Sequence, residues 1–263
     1  MAKVLEGRIA LVTGAGQGVG QGIARALAAE GANLLIAQRR LEEVEREAEY
    51  LCKTYGVTVH AMKCDVTVRE EVQAIVAATV EKFGRLDILV NNAGASLARR
   101  LENYTDENMD YALKLNYWSA FWAMQAAFPI MKAQKYGRII NLGSLNGVNA
   151  HMFTVGYNVG KEAVRTLTRT AAVEWGCHGI TANTICPSAM SPQAVDYFRA
   201  NPEMERAILA QVPVGRFGEA TNDIGPVAVF LASEASAYTT GNTLYVDGGG
   251  HINGVPWRPE VED

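Results

Sequence analysis

The stretch IALVTGAGQGVG, residues 9–20, joins a short apolar run to a turn rich in glycine. Because the run at 9–13 is continuously apolar rather than alternating, it predicts a strand that is buried on both faces. Gly14, Gly18 and Gly20 follow, where a backbone without side chains can approach a phosphate group closely. A helix that starts after this turn would present unpaired N–H groups to the same anion. The stretch therefore predicts the first strand, turn and helix of an α/β fold.

The same alternation of apolar runs and helical periodicity continues along the chain. The predicted strands are 9–13, 33–37, 58–63, 88–91, 137–142, 181–185 and 243–246. The predicted helices are 20–30, 41–55, 70–83, 106–134, 157–176 and 222–232. Strands and helices in strict alternation predict an α/β fold of three layers, a doubly wound parallel sheet or Rossmann fold. No linker divides residues 1–263, so we expect one domain with a substrate loop at about 188–213 and a C-terminal tail at 251–263.

The composition is that of a soluble globular chain, with 263 residues, 49% hydrophobic and 20% charged. A net charge of −4 argues against a surface that neutralises nucleic-acid phosphates. The N-terminal segment lacks a signal-peptide layout, and no apolar run reaches the roughly 18 residues of a membrane span. The four cysteines lack CxxC or His-rich spacing, so no metal site is predicted. We expect a cytoplasmic protein without a nucleic-acid or membrane partner.

The end of the second predicted strand indicates which dinucleotide the turn would bind. The run LLIAQRR, residues 34–40, ends in Gln38, Arg39 and Arg40, with no acidic residue before Glu42. A carboxylate there would suit a free ribose 2′-hydroxyl, whereas guanidinium groups bind a 2′-phosphate. We therefore expect NADP (NADPH) rather than NAD. The alternative is that both arginines are merely exposed charges at a helix start, although a helix start does not favour cations.

The stretch GYNVGK, residues 156–161, places Tyr157 and Lys161 four residues apart on one predicted helix. Side chains at this spacing lie on the same helix face. Free tyrosine has a pKa of about 10, too high for efficient acid–base catalysis at neutral pH. Two unit charges about 4 Å apart at an effective dielectric near 20 interact by roughly 4 kcal/mol, about three pKa units. The pair therefore predicts that Lys161 lowers the pKa of Tyr157 toward neutrality, although such spacing also arises by chance on exposed helices.

Seven motifs in order resemble those of the short-chain dehydrogenase/reductase family, from about residue 7 to residue 250. The motifs are TGAGQGVG (13–20), CDVT (64–67), NNAG (91–94), KLNYWSAF (114–121), INLGSLNG (140–147), YNVGK (157–161) and YVDGGG (245–250). The resemblance implies an NADP-preferring carbonyl reductase or alcohol dehydrogenase, with Ser144, Tyr157 and Lys161 as catalytic residues. Asn116 would complete a proton relay through water, in a helix that leaves one backbone carbonyl unpaired.

The resemblance also implies a set of cofactor-binding positions. The glycines of the turn would hold the pyrophosphate, CDVT would border the adenine, and NNAG would lie beside the cofactor ribose. The full set is Gly14, Gln17, Gly18, Val19, Gly20, Arg39, Arg40, Asp65, Val66, Asn92, Ala93, Gly94, Tyr157, Lys161, Pro187 and Met190.

Three positions depart from the pattern of the family. Ser188 stands where members usually carry the glycine of Pro-Gly, and Ser191 comes one residue early for the threonine that holds the nicotinamide carboxamide. Ser191 is the candidate for that contact if the loop is shorter here. Gly160 replaces the usual serine between the catalytic tyrosine and lysine, which removes a possible hydrogen bond but leaves the chemistry unchanged.

The substrate is predicted from the least patterned segments, 95–100, 146–153 and 188–213. Their larger apolar residues favour a neutral ketone or secondary alcohol, and they are Met152, Phe153, Met190, Tyr197 and Phe198. A 3-oxoacyl carrier-protein reductase is the alternative of the same chemistry, and a non-catalytic nucleotide-binding member is a further one. The resemblance also implies a homotetramer in which the helices at 106–134 and 157–176 pair between subunits.

Overall fold

The structure is a computed structural model that describes residues 3–190 and 197–252. Its seven strands pair in parallel throughout one sheet. In chain order they are β1 (Ile9–Thr13), β2 (Asn33–Gln38), β3 (Val59–Lys63), β4 (Ile88–Asn91), β5 (Gly137–Leu142), β6 (Ile180–Pro187) and β7 (Thr243–Val246). Across the sheet the order is β3-β2-β1-β4-β5-β6-β7.

Helices connect the strands and cover both faces of the sheet. They are α1 (Gly18–Ala29), α2 (Leu41–Tyr55), α3 (Arg69–Phe83), α4 (Asp106–Leu113), α5 (Ser119–Gln134), α6 (Leu145–Val148), α7 (Val155–Trp175), α8 (Pro202–Leu209) and α9 (Gly225–Ala232). Residues 197–200 are also helical. Single π-type turns precede α5 at Lys114–Trp118 and α9 at Ala220–Ile224.

Alternate side chains of each strand point to opposite faces of the sheet, which gives two hydrophobic cores. Leu34 and Ile36 of β2 pack with α1, α2 and α9 on one face. Leu35 and Ala37 of the same strand pack with α3, α5 and α7 on the other face. This is the predicted three-layer, doubly wound sheet, so the fold class is confirmed.

The sequence predicted every strand to within two residues at each end. The helix predicted at 106–134 has these same ends, and a π-type turn at Lys114–Trp118 lies between its α-helical parts, α4 and α5. The side chain of Asn116 donates to the carbonyl of Ala112 at 2.9 Å, so it takes an acceptor that a regular helix uses for its backbone. The predicted substrate loop at about 188–213 contains α8, which has a proline in its first turn.

Two sequence predictions fall partly beyond the described residues. Ser191 lies outside them, as does the tail from residue 253 onward. Within 3–190 and 197–252, no helix is long and apolar enough to cross a membrane. The same ranges hold no group of three or more His, Cys, Asp or Glu side chains placed to bind a metal ion.

Strand β1 lies between β2 and β4, and the strand order reverses at this point. Connections leave β1 and β4 in opposite directions, so the space outside their carboxyl ends is not covered by a helix. Residues that follow these strands therefore line a cleft.

Candidate active site

The cleft at the carboxyl ends of the strands has a volume of about 830 Å³. It brings together residues that are distant in the sequence, from the glycine turn to the end of β6. Most of the predicted cofactor-binding residues line it: Gly14, Gln17, Gly18, Val19, Arg39, Arg40, Val66, Asn92, Ala93, Gly94, Tyr157 and Pro187. The other four, which are Gly20, Asp65, Lys161 and Met190, do not line it directly.

The glycine turn adopts the conformation that an anion-binding turn requires. Gly14 and Gly18 have positive φ angles of 68° and 58°, where other residues are strained. No atom lies within 4 Å of the position that a Cβ of Gly18 would take. The N-cap residue of α1, Gln17, makes no side-chain cap hydrogen bond. The first N–H groups of α1 are therefore available to an anion in the cleft.

The side chain of Asn92 forms hydrogen bonds that stabilise the glycine turn. Its side-chain amide donates to the carbonyls of Thr13 at 3.0 Å and Gly14 at 3.1 Å. A Cβ on Gly20 would lie 2.3 Å from the amide nitrogen of Asn92 and 2.3 Å from the carbonyl oxygen of Gly14. Gly20 is thus required by close packing between α1 and Asn92, although it does not line the cleft.

Thr13 is a site residue that the sequence interpretation missed. Its hydroxyl accepts the N–H groups of Asn92 at 3.1 Å and Ala93 at 3.2 Å, and it lies within 3.4 Å of the carbonyl of Val90. Thr13 is 4% exposed, so these bonds form in a buried setting. The sequence feature that could have identified Thr13 is a polar residue at the end of an otherwise apolar strand.

The end of the cleft beside β2 contains a polar network. Gln38 accepts the N–H of Gly16 at 2.9 Å and donates its amide to Glu43. Arg40 forms an ion pair with the other carboxylate oxygen of Glu43, with its Nε 2.8 Å away. Arg39 is exposed and has no ion pair with any residue that the structure describes. The sequence analysis assigned the same role to Arg39 and Arg40. Among the described residues, however, only Arg40 of the two forms an ion pair.

The CDVT segment contributes side chains on both sides of Asp65. Cys64 and Val66 line the cleft, whereas the Asp65 carboxylate accepts the N–H and hydroxyl of Thr67 at 2.9 and 2.8 Å. Burial raises the pKa of the Cys64 thiol to about 12, so this sulfur stays protonated and unreactive at neutral pH. The Asp65 side chain therefore stabilises the turn at residues 65–67.

Tyr157 lines the cleft, and the Ser144 hydroxyl acts on its phenol. Tyr157 lies in the first turns of α7, and Ser144 caps α6 by accepting the N–H of Asn146 at 3.1 Å. Burial raises the pKa of the Tyr157 phenol, and a hydrogen bond from the Ser144 hydroxyl acts in the opposite direction.

Lys161 is almost completely buried, at 3% exposure, and donates to the carbonyl of Leu142 at 2.8 Å. Burial lowers the pKa of its ammonium group to about 8. Its nitrogen lies 5.6 Å from the ring centroid of Tyr157. The prediction that Lys161 lowers the pKa of Tyr157 toward neutrality is wrong for this structure. Desolvation disfavours the charged form of both groups and is the largest cause of each pKa shift.

Asn116 lies in the π-type turn and holds the segment after NNAG. It accepts the N–H of Ala95 at 3.2 Å and donates to the carbonyls of Ala95 at 3.0 Å and Ala112 at 2.9 Å. A Cβ on Gly94 would lie 2.7 Å from its side-chain oxygen and 3.1 Å from the nitrogen of Lys161. Asn116 and Lys161 thus lie close together beside Gly94.

Gly160 has a packing role at this point. A Cβ on Gly160 would lie 2.8 Å from the Cβ of Asn116. The departure from the usual serine therefore allows α7 to approach the π-type turn closely.

The residues predicted to wall the substrate pocket are divided between two places. Met152 and Phe153 line a second hollow of about 700 Å³ beside the outer face of α7, not the cleft. Phe198 stacks on Phe217 with ring centroids 5.0 Å apart. Met190 donates its backbone N–H to Gly218 at 3.1 Å, which ties the chain after β6 to the segment before α9.

Comparisons with known proteins show which proteins this chain resembles in sequence and fold. A family model described as enoyl-(acyl carrier protein) reductase matches residues 14–251. The chain is 36% identical to the 12α-hydroxysteroid dehydrogenase of Clostridium sp., over 94% of this chain and 97% of that protein. It is also 36% identical to the 3-oxoacyl-[acyl-carrier-protein] reductase FabG of Vibrio cholerae serotype O1, over 93% and 98%. The crystal structure of levodione reductase superposes with a TM-score of 0.88 at 30% identity, covering 94% of this chain and 99% of that one.

Proposed function

The chain belongs to the short-chain dehydrogenase/reductase family, and we propose that it is an NADP(H)-dependent carbonyl reductase or alcohol dehydrogenase for small neutral substrates. It is an oxidoreductase that acts on hydroxyl or keto groups, and its family uses NAD or NADP. The observation that supports the specific proposal most strongly is the position of Tyr157 in the cleft, where the Ser144 hydroxyl acts to lower the pKa of its phenol and Lys161 is buried one helical turn away.

The residues of the cleft fit a nicotinamide dinucleotide. The positive φ angles of Gly14 and Gly18 and the uncapped start of α1 suit a pyrophosphate. Two hydrogens of the Lys161 ammonium remain beyond its bond to Leu142, and they suit ribose hydroxyls. When bound, this cofactor supplies or accepts the hydride.

Tyr157 is the group that we assign to proton transfer with the substrate oxygen. Burial raises the pKa of Tyr157, so the phenol is protonated at neutral pH and ready to donate in the direction of reduction. The Ser144 hydroxyl stabilises the phenolate that this step leaves behind, and it also orients the substrate oxygen. The ammonium of Lys161 favours the same phenolate by charge.

Lys161 and Asn116 would return the proton to Tyr157. A lysine with a pKa of about 8 exchanges its proton readily near neutral pH. Asn116, fixed on Ala95 and Ala112, lies next to Lys161 beside Gly94. We assign it the role of holding the path by which solvent protons reach Lys161.

The substrate is assigned only as a class. The two curated relatives named above share 36% identity with this chain but carry the names of a steroid dehydrogenase and an acyl-carrier-protein reductase. Overall similarity therefore supports the reaction and not the substrate. A 3-oxoacyl carrier-protein reductase is the second candidate, favoured by the FabG relative and by the description of the matching family model.

The proposal is tested by NADPH and NADH oxidation with a panel of ketones, sugars, diketones, steroids and a 3-oxoacyl thioester. We expect turnover of at least one free ketone, and Tyr157→Phe should lower kcat by about 10²-fold or more while the fold is intact. Near-normal turnover by that variant would exclude the assigned proton transfer. Turnover of the thioester alone would favour the second candidate, and no turnover at all would favour a non-catalytic member.

We also propose a cytoplasmic homotetramer. Large apolar side chains on α7 and on the turn before α5 are exposed in the single chain, with Trp118 at 40%, Val159 at 45% and Val173 at 84% exposure. Such residues are typical of helix faces that are buried between subunits. Sedimentation velocity should then give a particle of about four chains.

A further inference from the structure

We infer that Glu43 is a specificity-determining residue that weakens the binding of a phosphate on the cofactor ribose and so limits the preference for NADPH. This inference rests on the proposed function, because it concerns the end of the cleft beside β2. Three polar side chains meet there, those of Gln38, Arg40 and Glu43.

Glu43 is held in place by a hydrogen bond, an ion pair and packing. One oxygen of its carboxylate accepts the amide of Gln38, and the other forms an ion pair with Arg40 at 2.8 Å. Its side chain is only 19% exposed, compared with 61% for Arg40. A Cβ on Gly16 would lie 3.0 Å from the Cβ of Glu43, which places Glu43 directly behind the glycine turn.

The contacts of Glu43 change the charge that this end of the cleft presents. Arg39 and Arg40 both line the cleft, but the charge of Arg40 is compensated by Glu43. Arg39 has no ion pair among residues 3–190 and 197–252. A phosphate arriving here would gain the attraction of Arg39, compete with Glu43 for Arg40, and be repelled by the carboxylate.

Gln38 explains how a carboxylate is tolerated at this position. Its oxygen accepts the N–H of Gly16 at 2.9 Å while its amide donates to Glu43. Glu43 therefore orients Gln38, and Gln38 in turn holds the glycine turn. Glutamine at position 43 can still accept the amide of Gln38, so Glu43→Gln removes the charge while the bond to Gln38 can be kept.

The test is calorimetric binding of 2′,5′-ADP and 5′-ADP to the full chain, without any measurement of turnover. For Glu43→Gln we expect the affinity for 2′,5′-ADP to rise about three- to tenfold, because one repulsive charge is removed and Arg40 is released. The affinity for 5′-ADP should change less than about twofold. Glu42→Gln is the matched control, since Glu42 is exposed in the same helical turn and makes no ion pair within the described ranges.

A second variant tests the competition for Arg40. Arg40→Ala should lower the affinity for 2′,5′-ADP more in the Glu43→Gln background than in the natural chain. The inference is overturned if Glu43→Gln leaves the affinity for 2′,5′-ADP unchanged or lowers it, or if both ligands respond equally. If the natural chain binds neither ligand, the proposed function itself is overturned.

Discussion

The ammonium group of Lys161 donates a hydrogen bond of 2.8 Å to the carbonyl of Leu142, at the last residue of β5. This bond ties the helix that carries Tyr157 to the carboxyl end of a central strand. It also fixes a positive charge where only 3% of the residue is exposed. The pKa of this ammonium group is lowered to about 8 by burial, with consequences for both activity and stability.

The rate of reduction should decline at alkaline pH. Lys161 carries the charge that favours the Tyr157 phenolate only below its pKa of about 8. We expect log(kcat/KM) for ketone reduction to be level near pH 7 and to fall above about pH 8. A profile that stays level to pH 10 would show that the protonated lysine does not contribute.

The free energy of unfolding should change with pH in the opposite direction to the rate: the contribution of Lys161 to stability improves as the pH rises. Because its folded pKa of about 8 lies below the ordinary value of 10.5, the unfolded chain binds more protons between these pH values. Burial of the charge at pH 7 therefore costs roughly 3 kcal/mol, and this cost disappears as pH rises toward 10.5. We predict that Lys161→Met is more stable than the natural chain at pH 7 by about 1–2 kcal/mol, after loss of the bond to Leu142.

The measurement is urea unfolding of both proteins at pH 7 and pH 9.5. The advantage of Lys161→Met should shrink by about 2 kcal/mol over this interval. Lys82→Met, at an exposed position of α3, is the control and should show no comparable change. An advantage that grows with pH would contradict the assigned direction.

Gly94→Ala should displace side chains of the candidate active site and so lower both stability and activity. A Cβ there would lie 2.7 Å from the side-chain oxygen of Asn116 and 3.1 Å from the nitrogen of Lys161, so at least one of them must move. We expect a loss of about 1–3 kcal/mol in the free energy of unfolding and a kcat at least about tenfold lower. Gly176→Ala is the control, because a Cβ on Gly176 would have no atom within 4 Å. Gly84→Ala is unsuitable because Gly84 has a positive φ angle, which strains any other residue.

Thr13→Val should weaken cofactor binding. The variant keeps the shape of the side chain but leaves the N–H groups of Asn92 and Ala93 without their acceptor. An unpaired buried donor costs about 1–3 kcal/mol, and the glycine turn loses part of its support. We expect KM for the cofactor to rise more than kcat falls, and Thr13→Ser to restore both values. Equal effects of serine and valine would show that volume, not the hydroxyl, matters.

Arg39→Ala should reduce the preference for NADPH. Arg39 lines the cleft and has no ion pair in the part of the chain that the structure describes. Removing it should raise KM for NADPH about three- to thirtyfold and change KM for NADH less than about twofold, because only NADPH carries a 2′-phosphate. Arg46→Ala, at an exposed position of α2, controls for net charge. A natural chain that prefers NADH would contradict this prediction at the outset.

Several features followed from the sequence because they depend on local patterns. Continuous apolar runs gave the strands, and glycines after the first run gave the turn. The order of motifs identified the family, and it predicts that Ser144, Tyr157 and Lys161 form one site. Strand burial and turn conformation are properties of a few consecutive residues, so a single sequence reports them well.

Other features depend on contacts between distant residues and were decided only by the tertiary structure. These include the hydrogen bonds of Asn116 to Ala95 and of Thr13 to Asn92, and the π-type turn inside the predicted long helix. The pKa of Tyr157 is the clearest case, since the sequence predicted a lower value from the nearby lysine and the structure raises it by burial. How deeply a side chain is buried depends on packing by many elements of the fold. The spacing of two residues in the sequence therefore does not predict it.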